Sequence, residues 1–265
     1  LNPERVQIDY GEHVAHVRMT RADKHNALDW EMFQALDAAI DELAERKDVR
    51  AVALSGEGKS FCSGLDFPSF LAGGIDFETL FERREGDPAN VVQRITYGWL
   101  RLPMPVIAAV HGNCLGGGAQ LALGADIRIG QPGLRFSVME IKYGLIPDMG
   151  ITQTLPTLVG LDVAKELTFT GRIVEAEEAD RVGIVTRLAD DARAAALELA
   201  AEIATRSPDA VRRAKRLWNA AHRARAEESL ALEAELQREL LGTPNQAAAV
   251  QAAFSGEPAR FDDPG

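Results

Sequence analysis

The sequence predicts an α/β protein with a core of repeated ββα-like units and a helical C-terminal part. Three observations carry that expectation. Short apolar or alternating runs, each long enough for one strand, recur between helical stretches; glycine-rich segments directly follow two of these runs; and beyond Ala176 the composition shifts to Ala, Glu, Arg and Leu at helical spacing. At 265 residues, with 46% hydrophobic and 26% charged content, the chain suits one large globular domain or one with a small appendage.

Val6, Ile8 and Tyr10 alternate with polar residues, Gly11-Glu12 interrupts, and Val14, Val17 and Met19 follow, which predicts an opening β-hairpin. Met32, Phe33, Leu36, Ala39, Ile40 and Leu43 then fall at three- and four-residue steps, the stripe of an amphipathic helix with Asp29 as its N-cap. A strand over 51–54 comes next. Residues 75–102 are helical in character, broken at Gly86-Asp87-Pro88 and stopped by Pro103-Met104-Pro105. The wholly apolar run 106–110 reads as a strand buried on both faces. A helix opened by glycines covers 116–124, strands cover 127–129 and 134–137, and in the tail Leu232, Leu236 and Leu240 form an i, i+4 stripe. The expected division is an α/β core over 1–200 and a helical region over 201–265, with no low-complexity linker between them.

The 29 Lys and Arg stand against 40 Asp and Glu, and the formal net charge of −11 repels nucleic acid phosphates and anionic lipid. No nucleic acid partner is expected, and an anionic ligand must be held by local donors. The opening Leu1-Asn2-Pro3-Glu4-Arg5 has no basic stretch followed by an apolar one, and no uninterrupted apolar run of about 18 residues occurs, so neither secretion nor a membrane partner is expected. Cys62 and Cys114 read as buried thiols in a reducing, cytoplasmic setting.

Gly58-Lys59-Ser60 imitates the end of a nucleotide-binding P-loop, but the glycine required five positions earlier is Ala53. Neither a Gly-x-Ser-x-Gly nucleophile elbow nor a His-Glu-x-x-His metal motif is present. The informative segments are 58–66, with Ser60-Phe61-Cys62-Ser63-Gly64-Leu65-Asp66, and 109–120, with His111-Gly112-Asn113-Cys114-Leu115-Gly116-Gly117-Gly118-Ala119-Gln120. Each leaves a strand through small residues. Glycine lets backbone N–H groups approach a ligand closely, and two converging N–H groups make an oxyanion hole for a thioester carbonyl becoming an enolate. Taken singly, each run also suits a tight turn or close helix packing; His111, beside the second, reads as structural.

These two segments resemble the hallmark blocks of the crotonase superfamily, the enoyl-CoA hydratases and isomerases. Arg21-Ala22-Asp23-Lys24-His25-Asn26-Ala27-Leu28 is similar to the family's N-terminal coenzyme-A-contacting block, and Gly144-Leu145-Ile146-Pro147 and residues 171–185 also fit, so the likeness runs over about 6–254. The resemblance implies a crotonase-like spiral of ββα units with a helical C-terminal trimerisation region, assembled as a homotrimer or hexamer. It implies oxyanion donors at the backbone N–H groups of Ser63 and Gly117, and coenzyme A contacts at Lys24, His25, Ala27, Ser63, Gly64, Leu65 and Asp66. No separate cofactor is implied, because coenzyme A arrives as part of the acyl-CoA substrate. In the C-terminal block Glu257 replaces the lysine that would reach coenzyme A, and Arg260 is the nearby substitute.

The two glutamates that hydratases of this family use match Gln120 and Glu140. An amide does not exchange a proton near neutral pH, so Gln120 is left to orient substrate or water. Asp148 stands where classical hydratases carry glycine and dienoyl-CoA isomerases carry a catalytic aspartate. Glu140 and Asp148 together suit proton removal at one carbon and return at another. Two plainer readings stay open: Asp148 as a helix N-cap, and Glu140 as a surface ion-pair partner of Lys142 or Arg135. The activity expected first is a double-bond shift in an enoyl- or dienoyl-CoA. Hydration of 2-trans-enoyl-CoA comes second, then thioester hydrolysis or dehalogenation with Asp148 as nucleophile, and an inactive acyl-CoA-binding protein.

Overall fold

The computed structural model describes residues 2–72, 77–221 and 224–264. The chain opens with the expected hairpin, β1 (Val6–Tyr10) and β2 (Val14–Met19), antiparallel with Val6 opposite Met19. Helix α1 (Trp30–Ala44) starts where predicted: the Asp29 carboxylate accepts the Met32 N–H at 2.9 Å, and the stripe from Met32 to Leu43 is buried. Strand β3 (Ala51–Gly56) follows, then α2 (Phe67–Ala72), α3 (Phe77–Phe81) and α4 (Val91–Arg101). The break expected at 86–88 separates α3 from α4, and residues 73–76 of the expected 75–102 helical stretch lie outside the described residues. Asn90 and Gln93 open α4 with a reciprocal cap.

Next come β4 (Val106–Val110), β5 (Asn113–Leu115), α5 (Gly117–Leu123), β6 (Ile127–Gly130) and β7 (Arg135–Ser137). After three 3₁₀ turns the chain forms α6 (Leu161–Thr170), β8 (Val174–Glu175), α7 (Ala176–Val182), β9 (Arg187–Leu188) and α8 (Ala192–Ala204). Helices α9 (Pro208–Ala221), α10 (Ala226–Leu240) and α11 (Pro244–Ser255) complete it.

The strands form two sheets. One has the order β1-β2-β3-β4-β6-β9, parallel from β2 onward, and the other the order β5-β7-β8. A single bridge from Cys62 to Cys114 prolongs the second sheet. Each turn of chain therefore gives a strand to the first sheet and then a short extended segment to the second: β3 then Cys62, β4 then β5, β6 then β7. This is the spiral of ββα units that the sequence suggested.

Alternation along the central strands sorts their side chains between two layers. Val52, Leu54, Val106, Ala108 and Val110 join the main core with α1, whereas Ala51, Ile107, Ala109 and Ile129 meet Ala192, Ala196 and Ala200 of α8. The expected boundary at 200/201 falls inside α8. Ala192, Ala196, Ala200 and Ala204 are all buried, so the α/β core extends to the end of that helix. The remaining helices are pinned by buried cations. Lys215 of α9 pairs with Asp126 at 2.7 Å and donates to the Trp99 and Met104 carbonyls at 3.1 and 2.9 Å. Arg50 donates to the Ala204 and Phe261 carbonyls, fastening the tail. Of the expected leucine stripe only Leu236 is fully buried, and Arg213–Glu239 and Arg216–Glu235 pairs help hold α10 on α9. Among the described residues no helix is long and apolar enough to cross a membrane.

The spiral needs its turns to touch through backbone. At Gly118 an added methyl would lie 2.3 Å from the Cys62 carbonyl oxygen, so the opening of α5 stacks directly on the preceding turn. Gly118→Ala is expected to lower unfolding stability by about 1–3 kcal/mol, the usual cost of overpacking. At Gly11 the added methyl meets its nearest atom, the Val14 carbonyl oxygen, at 3.8 Å, so Gly11→Ala is expected to stay within about 0.5 kcal/mol. Urea unfolding of both variants checks the pair.

Candidate active site

The two glycine segments lie face to face. Cys62 donates its N–H to the Asn113 carbonyl at 3.1 Å and accepts the Leu115 N–H at 3.0 Å. Gly64, with φ +90°, leaves no room for a side chain: a Cβ there would fall 2.6 Å from the Leu115 carbonyl oxygen and 3.5 Å from the Gly117 nitrogen. The residues around positions 64 and 117 are thus brought together as expected.

One donor assignment is corrected. The Ser63 N–H donates to the His25 carbonyl at 3.0 Å and is not available to a ligand. On the same segment Leu28 donates to the Gly64 carbonyl at 2.8 Å and Asp66 donates to the Leu28 carbonyl at 2.9 Å. Alternation along this extended piece turns the Leu65 N–H to the opposite side, and it has no acceptor among the described residues. The Gly117 N–H, in the first turn of α5, also has none. Leu65 and Gly117 thus present unpaired N–H groups on the two stacked segments, where Gly64 leaves room for close approach; Gly118 and Ala119 in the first turn of α5 have no acceptor among the described residues either. Leu65 was expected only as a coenzyme A contact, because its pairing with Leu28, far away in sequence, is not legible along the chain.

The N-terminal block closes on this segment. His25 and Asn26 have φ of 52° and 54°, and the Asn26 amide donates to the carbonyls of Glu57, Ser60 and Phe61 at 2.9, 2.9 and 3.1 Å. The His25 ring meets the Ser60 hydroxyl at 3.0 Å. Lys24 and His25 are exposed beside the half-buried Ala27, Ser63 and Leu65. Asp66 is engaged internally: Arg21 pairs with it at 2.8 Å. Although burial opposes it, hydrogen bonds from Ser69 and Arg21 hold its carboxyl below the usual range.

Glu140 opens the 3₁₀ turn Glu140–Tyr143. It makes no ion pair with Lys142 or Arg135. Its Oε1 accepts from Gln120 Nε2 at 2.7 Å, and its Oε2 is buried without a partner. The other end of the Gln120 amide accepts the Met149 N–H at 2.9 Å. Only 1% of Gln120 is exposed. Gln120 thus does not reach out to position substrate, as the sequence suggested; it braces Glu140 against the segment that carries Asp148. The need of the Met149 N–H for an acceptor fixes which way the amide points.

Asp148 is exposed and caps nothing, since the following 3₁₀ turn starts behind Gly150 without a side-chain cap. Burial raises the Glu140 carboxyl above its usual range, against the hydrogen bond from Gln120, and the charge of Asp148 raises it further. The surrounding protein raises Asp148 as well. Both carboxyls are thereby shifted toward their protonated forms.

His111 contacts the Gly58 carbonyl at 3.1 Å and is structural, as expected. Glu257 and Arg260 line a separate groove of about 1270 Å³ between the C-terminal segment and the β1–β2 hairpin, and none of Leu65, Gly117, Glu140 or Asp148 lines it. Within one chain the suggested Arg260 contact is therefore not made at this cleft.

A cleft with two free amides, a braced buried carboxyl and an exposed one can bind a carbonyl oxygen and move protons beside it. Comparison with known proteins agrees. The sequence profile of the enoyl-CoA hydratase/isomerase family matches residues 9–256. The mitochondrial Delta(3,5)-Delta(2,4)-dienoyl-CoA isomerase of Mus musculus is 33% identical over 96% of this chain and 80% of its own length. The short-chain-enoyl-CoA hydratase of Clostridium acetobutylicum is 35% identical over 90% of each chain. A crystal structure of enoyl-CoA hydratase from Bacillus anthracis superposes with a TM-score of 0.88 at 29% identity, covering 98% of this chain and 100% of that one. On this fold, this cleft and these relatives, the chain belongs to the enoyl-CoA hydratase/isomerase family and is an enzyme of that family.

Proposed function

We propose that the protein shifts a double bond of an enoyl- or dienoyl-CoA, with Glu140 and Asp148 as the proton carriers. The observation that carries this reading is the state of Gln120: neutral, buried and hydrogen-bonded at both ends of its amide. An amide is neither acid nor base near neutral pH, so Gln120 cannot activate a water, and the proton carriers are assigned to the carboxyls of Glu140 and Asp148.

In the reaction the Leu65 and Gly117 N–H groups receive the thioester oxygen. The ionised carboxyl of the pair takes a proton from the carbon chain, and negative charge moves to the oxygen as the dienolate forms. The protonated carboxyl then returns a proton at the other end of the conjugated system. Protons removed and returned balance, and no water is added. A hydrogen bond to a developing oxyanion typically contributes about 10²–10³ in rate. Two buried free thiols, Cys62 and Cys114, suit a reducing, cytoplasmic setting. Exposed Leu230 and Phe254 on the C-terminal helices, with Leu241 just past the end of α10, suit assembly into a trimer or hexamer.

Purified protein given 3,5-dienoyl-CoA is expected to form the 2,4-dienoyl thioester, and to leave 2-trans-enoyl-CoA without a 3-hydroxy product. Formation of 3-hydroxyacyl-CoA would establish hydration instead, and no change in either thioester would leave a binding protein. Glu140→Gln is expected to cut turnover by about 10²–10⁴. Because burial raises the folded-state value of Glu140, its ionised form weakens the fold as pH rises through that value. The variant should be at least as stable as the parent at pH near 7, with the difference vanishing below the unfolded value of about 4.3 in thermal unfolding scans. Gln120→Glu places another carboxylate against Glu140, so the acid limb of kcat/KM should move to higher pH; an unmoved limb would show that the brace is not formed.

A further inference from the structure

Among the described residues the buried cations are Arg50, Arg94, Arg128 and Lys215. Arg94 pairs with Asp37, Asp41 and Asp87, Arg50 with Asp263 at 3.9 Å, and Lys215 with Asp126 at 2.7 Å. Arg128, only 3% exposed, pairs with no carboxylate among the described residues. Its Nε donates to the Ile184 carbonyl at 2.8 Å and its Nη1 to the Ala125 carbonyl at 2.6 Å, and its Nη2 has no acceptor there. Asp126, two residues away, is taken up by Lys215 and by the Val106 N–H, each at 2.7 Å. Burial lowers the Arg128 pKa to about 10, against the pull of Asp126, so the guanidinium is charged at neutral pH. A buried charge held only by neutral groups is costly and gains most from an anion.

Arg128 lines a cavity of about 510 Å³ that α9 forms with the ends of α5 and β6; Leu123, Leu158, Ile203 and Trp218 supply much of its apolar lining. Of the other charged groups there, Lys215 and Asp126 neutralise each other, and Arg206 reaches Glu202 at 3.4 Å. None of Leu65, Gly117, Glu140 or Asp148 lines the cavity, so it is separate from the active cleft. We propose that this cavity is a second binding site, for a monocarboxylate with an apolar body of the medium-chain fatty acid type, whose carboxylate meets Arg128. One uncancelled positive charge matches one negative charge, and the free Nη2 offers it charge-assisted hydrogen bonds. The volume and the apolar lining suit a hydrocarbon chain, which gains by leaving water.

The test titrates sodium octanoate calorimetrically into the full chain held saturated with octanoyl-CoA, which fills the active cleft, and compares octanol and sodium acetate. Octanoate is expected to bind saturably and at least about tenfold more tightly than either, octanol lacking the charge and acetate the chain. Arg128→Gln should weaken octanoate by about tenfold or more and leave octanol unchanged. Ala214→Trp adds bulk at an exposed helix position that lines the cavity, and it should weaken octanoate and octanol alike. If Arg128→Gln does not fold, Ala214→Trp decides. Absence of saturable octanoate binding, octanol or acetate binding as tightly, or octanoate affinity that survives both changes would overturn the proposal. So would a parent that binds no octanoate while Arg128→Gln alters the assembly mass in light scattering, because the guanidinium would then meet a second copy of the chain.

Discussion

The structure depends on one close backbone contact, the stacking of the segment around Cys62 and Gly64 on the segment from Asn113 to Gly118. Strand β3 and strand β4 lie side by side in the main sheet, so their exits leave it in parallel, and the two extended pieces pair through the Cys62–Cys114 bridge. Side chains at Gly64 and Gly118 would stand within 2.6 Å of carbonyl oxygens on the facing segment. With none there, the two segments lie close enough for the unpaired amides of Leu65 and Gly117 to come near one another, whereas the amides of Ser63, Asp66 and Gly116 are engaged. The stacking of the spiral and the exposure of these two amides are consequences of the same contact.

On that frame the chemistry is set by what surrounds Glu140. Its carboxyl is partly buried and held at one oxygen by a neutral amide, while the other oxygen has no partner. An unsatisfied buried oxygen is costly and is commonly found where a protein reserves a group for reaction. Gln120 reaches from α5 to both Glu140 and the Met149 amide, so one side chain sets the distance between the turn carrying Glu140 and the segment carrying Asp148. Gln120 carries no exchangeable proton near neutral pH, so its part at this position is that of a brace.

Much of this was legible in the sequence. Glycine runs at strand exits mark the two stacked segments, and Gln120, Glu140 and Asp148, eight residues beyond Glu140, mark the polar groups near them. The errors share a physical cause: they concern partners distant along the chain. Ser63 stands two residues before Leu65, and which of these amides is left without an acceptor is decided by the pairing of Leu28 with residues 64–66. Gln120 looked free to meet substrate because its partners lie 20 and 29 residues away. Composition places the core boundary at 200/201, where the chain has already become helical, although the alanines at 192, 196, 200 and 204 continue one buried face through it.

The central claim is that one proton is taken from the substrate and one is returned by the Glu140 and Asp148 pair, without participation of water oxygen. Conversion of a dienoyl-CoA in deuterated, ¹⁸O-labelled water, with product mass and label position determined, tests it most directly. Deuterium on carbon at the site of proton return and no ¹⁸O in the product are expected. Incorporation of ¹⁸O, or a shifted double bond that survives simultaneous loss of both carboxyls, would contradict it.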